Sequence, residues 1–118
     1  MLGVLGGMGP AAGIEFMRRL VAQTAAVRDQ DHVPAVLWSD PRVPDRSTAM
    51  LEGTNEPLAW LERGIRGLQQ AGCTRIVIPC NTAHFWYNDL VKLGTPITHI
   101  VDCLLYTSDA ADEGLGVD

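Results

Sequence analysis

No hydrophobic run in the 118 residues approaches the roughly 20 apolar residues that cross a bilayer, and the N-terminus shows no signal-peptide pattern. Clustered positive charge is also missing. The formal net charge is −5, and beyond Asp102 there is no Lys or Arg beside Asp109, Asp112, Glu113 and Asp118. Setting those four acids aside leaves −1 for residues 1–102, a near-neutral body with no basic patch. Nucleic acid and anionic membranes are therefore not expected partners. Cysteine is scarce: Cys73, Cys80 and Cys103 make an odd number that does not form a disulfide framework, and a reducing cytoplasm is the expected compartment. Apolar residues are plentiful, at 47% of the chain, enough for the core of one small domain.

The chain opens with an apolar run over residues 2–5, a glycine cluster and Pro10. This pattern predicts a strand, a tight turn and a helix with Pro in its first turn. Ile14, Met17, Leu20, Val21, Thr24 and Val27 mark one face of that helix. A second short, β-rich run over residues 33–38 predicts a buried strand. The prolines and aspartate of Pro41, Pro44 and Asp45 predict a loop after it. A second helix follows, with Thr54 or Asn55 as cap, Pro57 in its first turn, Leu58, Leu61, Ile65 and Leu68 as its stripe and Gly72 at its end. Gly64 and Gly67 weaken its propensity, so packing must hold it. A third strand ends at Pro79, a helix runs from about Thr82 to about Leu93, and residues 95–101 make a fourth strand. Short apolar strands alternating with helices predict an α/β fold with a doubly wound, parallel, four-stranded sheet. Ligands of such sheets lie beyond the carboxyl ends of the strands. Three pieces fall there: residues 7–10, 41–47 and 80–84.

Each piece has a plain structural reading beside a functional one. Gly7-Met8-Gly9-Pro10-Ala11-Ala12 fits the loose dinucleotide pattern G-x-G-x-x-A, but the nearest suitable acid, Asp40, lies 31 residues after Gly9 rather than about 20. A glycine turn at a helix N-terminus also suits an anion, or is a tight turn and nothing more. In Pro41-Arg42-Val43-Pro44-Asp45-Arg46, two prolines stiffen a loop that would hold an arginine still for two-point contact with a carboxylate; otherwise its arginines are solvated. Cys80-Asn81-Thr82 puts a thiol between a strand end and a helix start, where the helix dipole favours the thiolate. Asn81 and Thr82 could hold a substrate carboxylate beside it, or cap the helix over a buried cysteine. Cys73 has no polar neighbours and reads as structural; His84 reads as a capping or packing residue that could tune the site.

The segment "CLLYTSDAADE", residues 103–113, resembles a frame translation of a sequencing adapter, and helical periodicity stops there. Residues 1–102 are accordingly read as the domain, residues 103–118 as a non-native tail, and the natural sequence is expected to continue past Asp102.

Three segments in order, "LGGMGPAAGIEF", "PRVPDRS" and "IPCNTAHFWY", closely resemble the aspartate/glutamate racemase family of cofactor-independent amino-acid racemases, over residues 1–102. Hydantoin racemases, maleate isomerases and arylmalonate decarboxylases are more distant relatives. The resemblance implies one half of a two-domain α/β fold with the site in the cleft between domains. It implies two cysteines on opposite faces of the substrate α-carbon, one removing a proton and the other returning one, with no pyridoxal phosphate and no metal. Cys80 would be the first-domain acid/base. Asn81 and Thr82 would bind the amino-acid end of a small amino-acid substrate, Arg46 would grip a carboxylate, and the turn at Met8 would line the pocket. The second cysteine would come from a second domain, so the chain by itself is expected to be inactive; the complete enzyme is expected to be a homodimer. The competing readings are a dinucleotide- or anion-binding α/β domain, or an isomerase or decarboxylase of the same superfamily.

Overall fold

The structure is a computed structural model that describes residues 1–80 and 82–98. Four strands form one parallel sheet in the order β2-β1-β3-β4: β1 (Leu2–Gly6), β2 (Ala35–Ser39), β3 (Arg75–Val77) and β4 (Ile97–Thr98). The helices are α1 (Pro10–Gln23), α2 (Arg46–Glu52), α3 (Glu56–Gln70) and α4 (Tyr87–Val91). Single 3-10 turns cover Asp29–Asp31 and Thr82–Trp86.

Side-chain parity along the sheet separates the helices. An added Cβ at Gly13 of α1 would meet Leu37 and Gly6, whereas one at Gly64 of α3 would meet Leu5 and Trp38. Leu5 and Gly6, like Leu37 and Trp38, are neighbours in their strands and point to opposite faces. Helices α1 and α3 therefore cover opposite faces, and the sheet is doubly wound as expected. Helices α2 and α4 pack against α3. The main core lies on this side, where Leu61, Ile65, Leu68, Ile76 and Trp86 are almost completely buried.

The α3 stripe falls where the sequence places it, and its two glycines have a packing reason. A Cβ at Gly64 would sit 2.3 Å from Leu5 Cδ1, and one at Gly67 2.3 Å from Trp38 Cζ3. The glycines open a seat for these two side chains that alanine would close. Asn55 occupies the N-cap position of α3, but its side chain accepts from Trp86 Nε1 at 3.1 Å instead of capping. Cys73 is packed in the core against Gly3.

Four expectations need correction. The predicted apolar face of α1 is largely open: Ile14 and Val21 are 58% and 55% exposed, and Val27 lies beyond the helix at 95%. The helix meets the sheet through Gly13, its one fully buried residue, and among the described residues no second helix flanks it on that face. Strand β2 is half-buried rather than buried because it is an edge strand. The predicted loop after β2 is partly helix α2, started by Asp45, whose carboxylate accepts from Thr48 N at 3.1 Å, and ended by Gly53 at φ 70°. The single helix predicted from Thr82 is a 3-10 turn leading into the five-residue α4. That turn buries Ala83 and Trp86 together, which three-residue periodicity allows by placing i and i+3 in line. The proposed tail and Asn81 lie outside the described residues.

Candidate active site

In a parallel sheet the loops at one edge all follow strand carboxyl ends. Met8 follows β1, Arg46 follows β2 at the first position of α2, and Cys80 follows β3. The order β2-β1-β3-β4 adds a finer constraint. From β1 the chain crosses outward to β2, whereas from β3 it crosses the other way to β4, so the connections diverge between β1 and β3. Such a switch point opens a crevice at the strand ends. Met8 and Cys80 follow the two strands that border it.

The turn after β1 is fixed by close packing. Gly7 has φ 97°, and a Cβ there would lie 2.4 Å from Asp40 N. No L side chain larger than glycine fits against this backbone, so the β1 turn and the end of β2 are locked together. At Gly9 the equivalent direction is open, with nothing within 4 Å. Met8 itself is buried in the same apolar cluster as Val43, Ala49, Cys80 and Ala83, which ties all three loops to one floor.

Asp40 is committed to the loop that follows it. Its Oδ1 accepts from Arg42 N at 3.1 Å and Arg42 Nε at 2.8 Å, and its Oδ2 from Arg42 Nη2 at 2.9 Å. These hydrogen bonds and the guanidinium charge hold its carboxyl at about 2, well below the usual carboxylate range. Arg42 also lies over the Trp60 ring, 5.1 Å from its centroid. The carboxylate that a dinucleotide would need at this strand end is therefore occupied, which speaks against that reading. The Asp40–Arg42–Trp60 brace was not read from the sequence, although Asp-x-Arg is a local signal for it.

Arg46 is placed differently from Arg42. Its Nε is buried and has no hydrogen-bond partner among the described residues. A buried guanidinium donor without an acceptor is costly. Helix α2, which Arg46 opens, packs on the 3-10 turn that follows Cys80.

Cys80 is 8% exposed, and its Sγ lies 3.4 Å from Thr82 Oγ1. The turn that carries it is pinned at Ile78, whose carbonyl accepts from Cys80 N at 2.8 Å and from His84 Nε2 at 3.0 Å. His84 also stacks near Tyr87, 6.1 Å between centroids. Its contacts are those of a brace for the cysteine turn. An open groove lined by Trp38, Glu62, Arg63 and Arg66 contains neither Cys80 nor Arg46.

Comparison with known proteins bears on this arrangement. A family model described as Asp/Glu/Hydantoin racemase matches residues 5–117. The broad specificity amino-acid racemase RacX of Bacillus subtilis (strain 168) is 28% identical over 107 residues, covering 86% of this chain and 46% of that protein. Among solved structures, Picrophilus torridus aspartate racemase superposes with a TM-score of 0.78 at 39% identity, over 86% of this chain and 43% of that one. An aspartate racemase homologue from Pyrococcus horikoshii OT3 shares the fold, with a TM-score of 0.73 at 17% identity over 96% of this chain and 49% of that one. The chain thus spans less than half the length of each of these relatives.

Proposed function

The chain belongs to the Asp/Glu/hydantoin racemase family, and from that premise we propose that it forms one half of the site of an amino-acid racemase that needs no pyridoxal phosphate and acts on aspartate, glutamate or a similar small amino acid. Cys80 is the proton-transferring group of this half. The other thiol, on the far face of the α-carbon, belongs to a second domain. One sulfur, as thiolate, removes the α-proton; the other, as thiol, delivers a proton to the opposite face, and the configuration inverts.

The chemistry demands more than a base. An α-proton beside a carboxylate is a weak acid, so the carboxylate charge must be offset and water kept away as the carbanion forms. Arg46 supplies a cation for a carboxylate, and its buried Nε, without a partner among the described residues, is the observation that carries this reading. Asn81 and Thr82 hold the amino-acid end, and the turn at Met8 forms a wall of the pocket. We place the complete enzyme in the cytoplasm as a homodimer, and the present chain as inactive in racemisation, because inversion needs a donor on each face.

The test is to incubate the purified chain with L-aspartate and L-glutamate in heavy water and follow α-deuterium uptake together with optical rotation. Slow exchange with retained configuration, abolished by Cys80→Ser, is expected. Racemisation at the rate of a complete enzyme, surviving Cys80→Ser, would overturn the assignment.

A further inference from the structure

We propose that Thr82 is a positioning residue for the Cys80 sulfur, its hydroxyl serving the thiolate and the thiol in turn. The sequence pattern casts Thr82 as a substrate contact. In the structure its Oγ1 lies 3.4 Å from Cys80 Sγ, with either atom able to donate. A hydroxyl has one proton to give and two lone pairs, and it rotates to suit. Against a thiolate it donates; against a thiol it turns and accepts from S–H. A residue that must be a base in one direction of a reversible reaction and an acid in the other needs such a partner. A fixed cation would favour the thiolate alone, and a carbonyl would favour the thiol alone.

The surroundings make the contact firm. The backbone that carries Cys80 is held in place, because its own N–H and His84 Nε2 both bond the Ile78 carbonyl. Cys80 is 8% exposed, so water competes poorly for the sulfur. There is a consequence for substrate binding. When Cys80 is a thiolate, the single Thr82 proton is committed to it, and only lone pairs remain. Thr82 can then accept from a substrate ammonium but cannot donate to a substrate carboxylate, which is left to Arg46 and Asn81. The catalytic meaning rests on the racemase reading; the sulfur contact does not.

The experiment separates the two. Alkylation of Cys80 by iodoacetamide is followed across pH in the parent chain, Thr82→Val and Thr82→Ser, with peptide-resolved mass spectrometry to exclude Cys73 and Cys103. Thiolate absorbance in the ultraviolet, as a difference against Cys80→Ser, is the second readout. Thr82 bonds the charged thiolate more strongly than it bonds the weak S–H donor, and losing both contacts leaves a net disadvantage to the thiolate of about tenfold. Thr82→Val should therefore alkylate about tenfold more slowly at neutral pH, with its profile moved to higher pH and no deficit at the alkaline plateau. Thr82→Ser should restore the parent profile. Arg46 and Glu52 on α2, which packs on the turn, and His84 on the turn itself are charged or titratable groups on these elements, and all three are unchanged in every variant. Unfolding would show as fast alkylation of the buried Cys73, in which case Thr82→Ala takes the place of the valine variant. Parent-like profiles in the deletion variants, or a serine variant that behaves like valine, would overturn the proposal. Loss of deuterium exchange with these thiol results intact would instead point to failure of the racemase reading.

Discussion

Gly67→Ala should destabilise the domain even though it replaces the poorest ordinary helix former with the best. On propensity alone the change gains about 1 kcal/mol in a helix interior. Packing against Trp38 opposes that gain and outweighs it. An alanine Cβ would stand 2.3 Å from Trp38 Cζ3 and 2.8 Å from both Cε3 and Cη2. Those atoms belong to one rigid ring, so the whole indole must move, and overpacking of this kind costs about 1–3 kcal/mol. The net expectation is a loss of about 1 kcal/mol, or roughly 4 °C in Tm. The sharper test removes the obstacle. In a Trp38→Leu background the offending ring atoms are gone, and Gly67→Ala should there be stabilising by about 1 kcal/mol. The coupling between the two positions is then about 2 kcal/mol, within the range for residues in contact. Urea unfolding of the parent, both single variants and the double variant, followed by far-ultraviolet circular dichroism, measures it without relying on indole fluorescence. If Gly67→Ala stabilises the parent, or acts equally in both backgrounds, Trp38 is not seated on α3 as described.

Two further outcomes concern the loops at the carboxyl edge. Asp45→Ala removes the acceptor for Thr48 N at the start of α2 and should lower stability in urea by about 1 kcal/mol; no change would mean the cap is unimportant to the helix that Arg46 opens. The Asp40 carboxyl, held at about 2 by its hydrogen bonds to Arg42, sits below its unfolded value of about 3.9, so its contribution is fully present above that value and is lost as pH falls toward about 2. Asp40→Asn should therefore reduce stability at neutral pH and shrink the difference from the parent as pH drops through that window. A difference independent of pH would refute the charged contact.

What was legible in the sequence follows from the range over which each signal acts. Leu61, Ile65 and Leu68 repeat along a helix long enough to show a period, so α3 could be read directly. Helix α2 could not, because seven residues hold less than two full turns of hydrophobic pattern; its signals were the end residues, Asp45 and Gly53. The face of α1 misled for a different reason. Ile14 and Val21 have helical spacing, but the contact with the sheet is made by Gly13, which carries no hydrophobic signal at all. At the site, the positions of Met8, Arg46 and Cys80 at strand ends could be inferred from strand order in the chain. The Thr82–Cys80 contact, the Ile78 brace and the occupied Asp40 depend on turn geometry and required the structure.

The placement of Cys80 is less a property of its motif than of the sheet. Strand order β2-β1-β3-β4 forces the connections from β1 and β3 apart, so whatever follows β3 borders the crevice. Within that constraint, the residues around the sulfur divide the work. Ile78 and His84 fix the turn, Thr82 meets the sulfur, and Arg46 opens a helix packed on that turn, its Nε without a partner among the described residues. On the racemase reading, this set can remove a proton and return it to the same face. On that proposed reading it would not invert the centre, because a single sulfur approaches the α-carbon from one side only. Exchange without inversion, abolished by Cys80→Ser, is therefore the outcome that the proposed half-site reading requires.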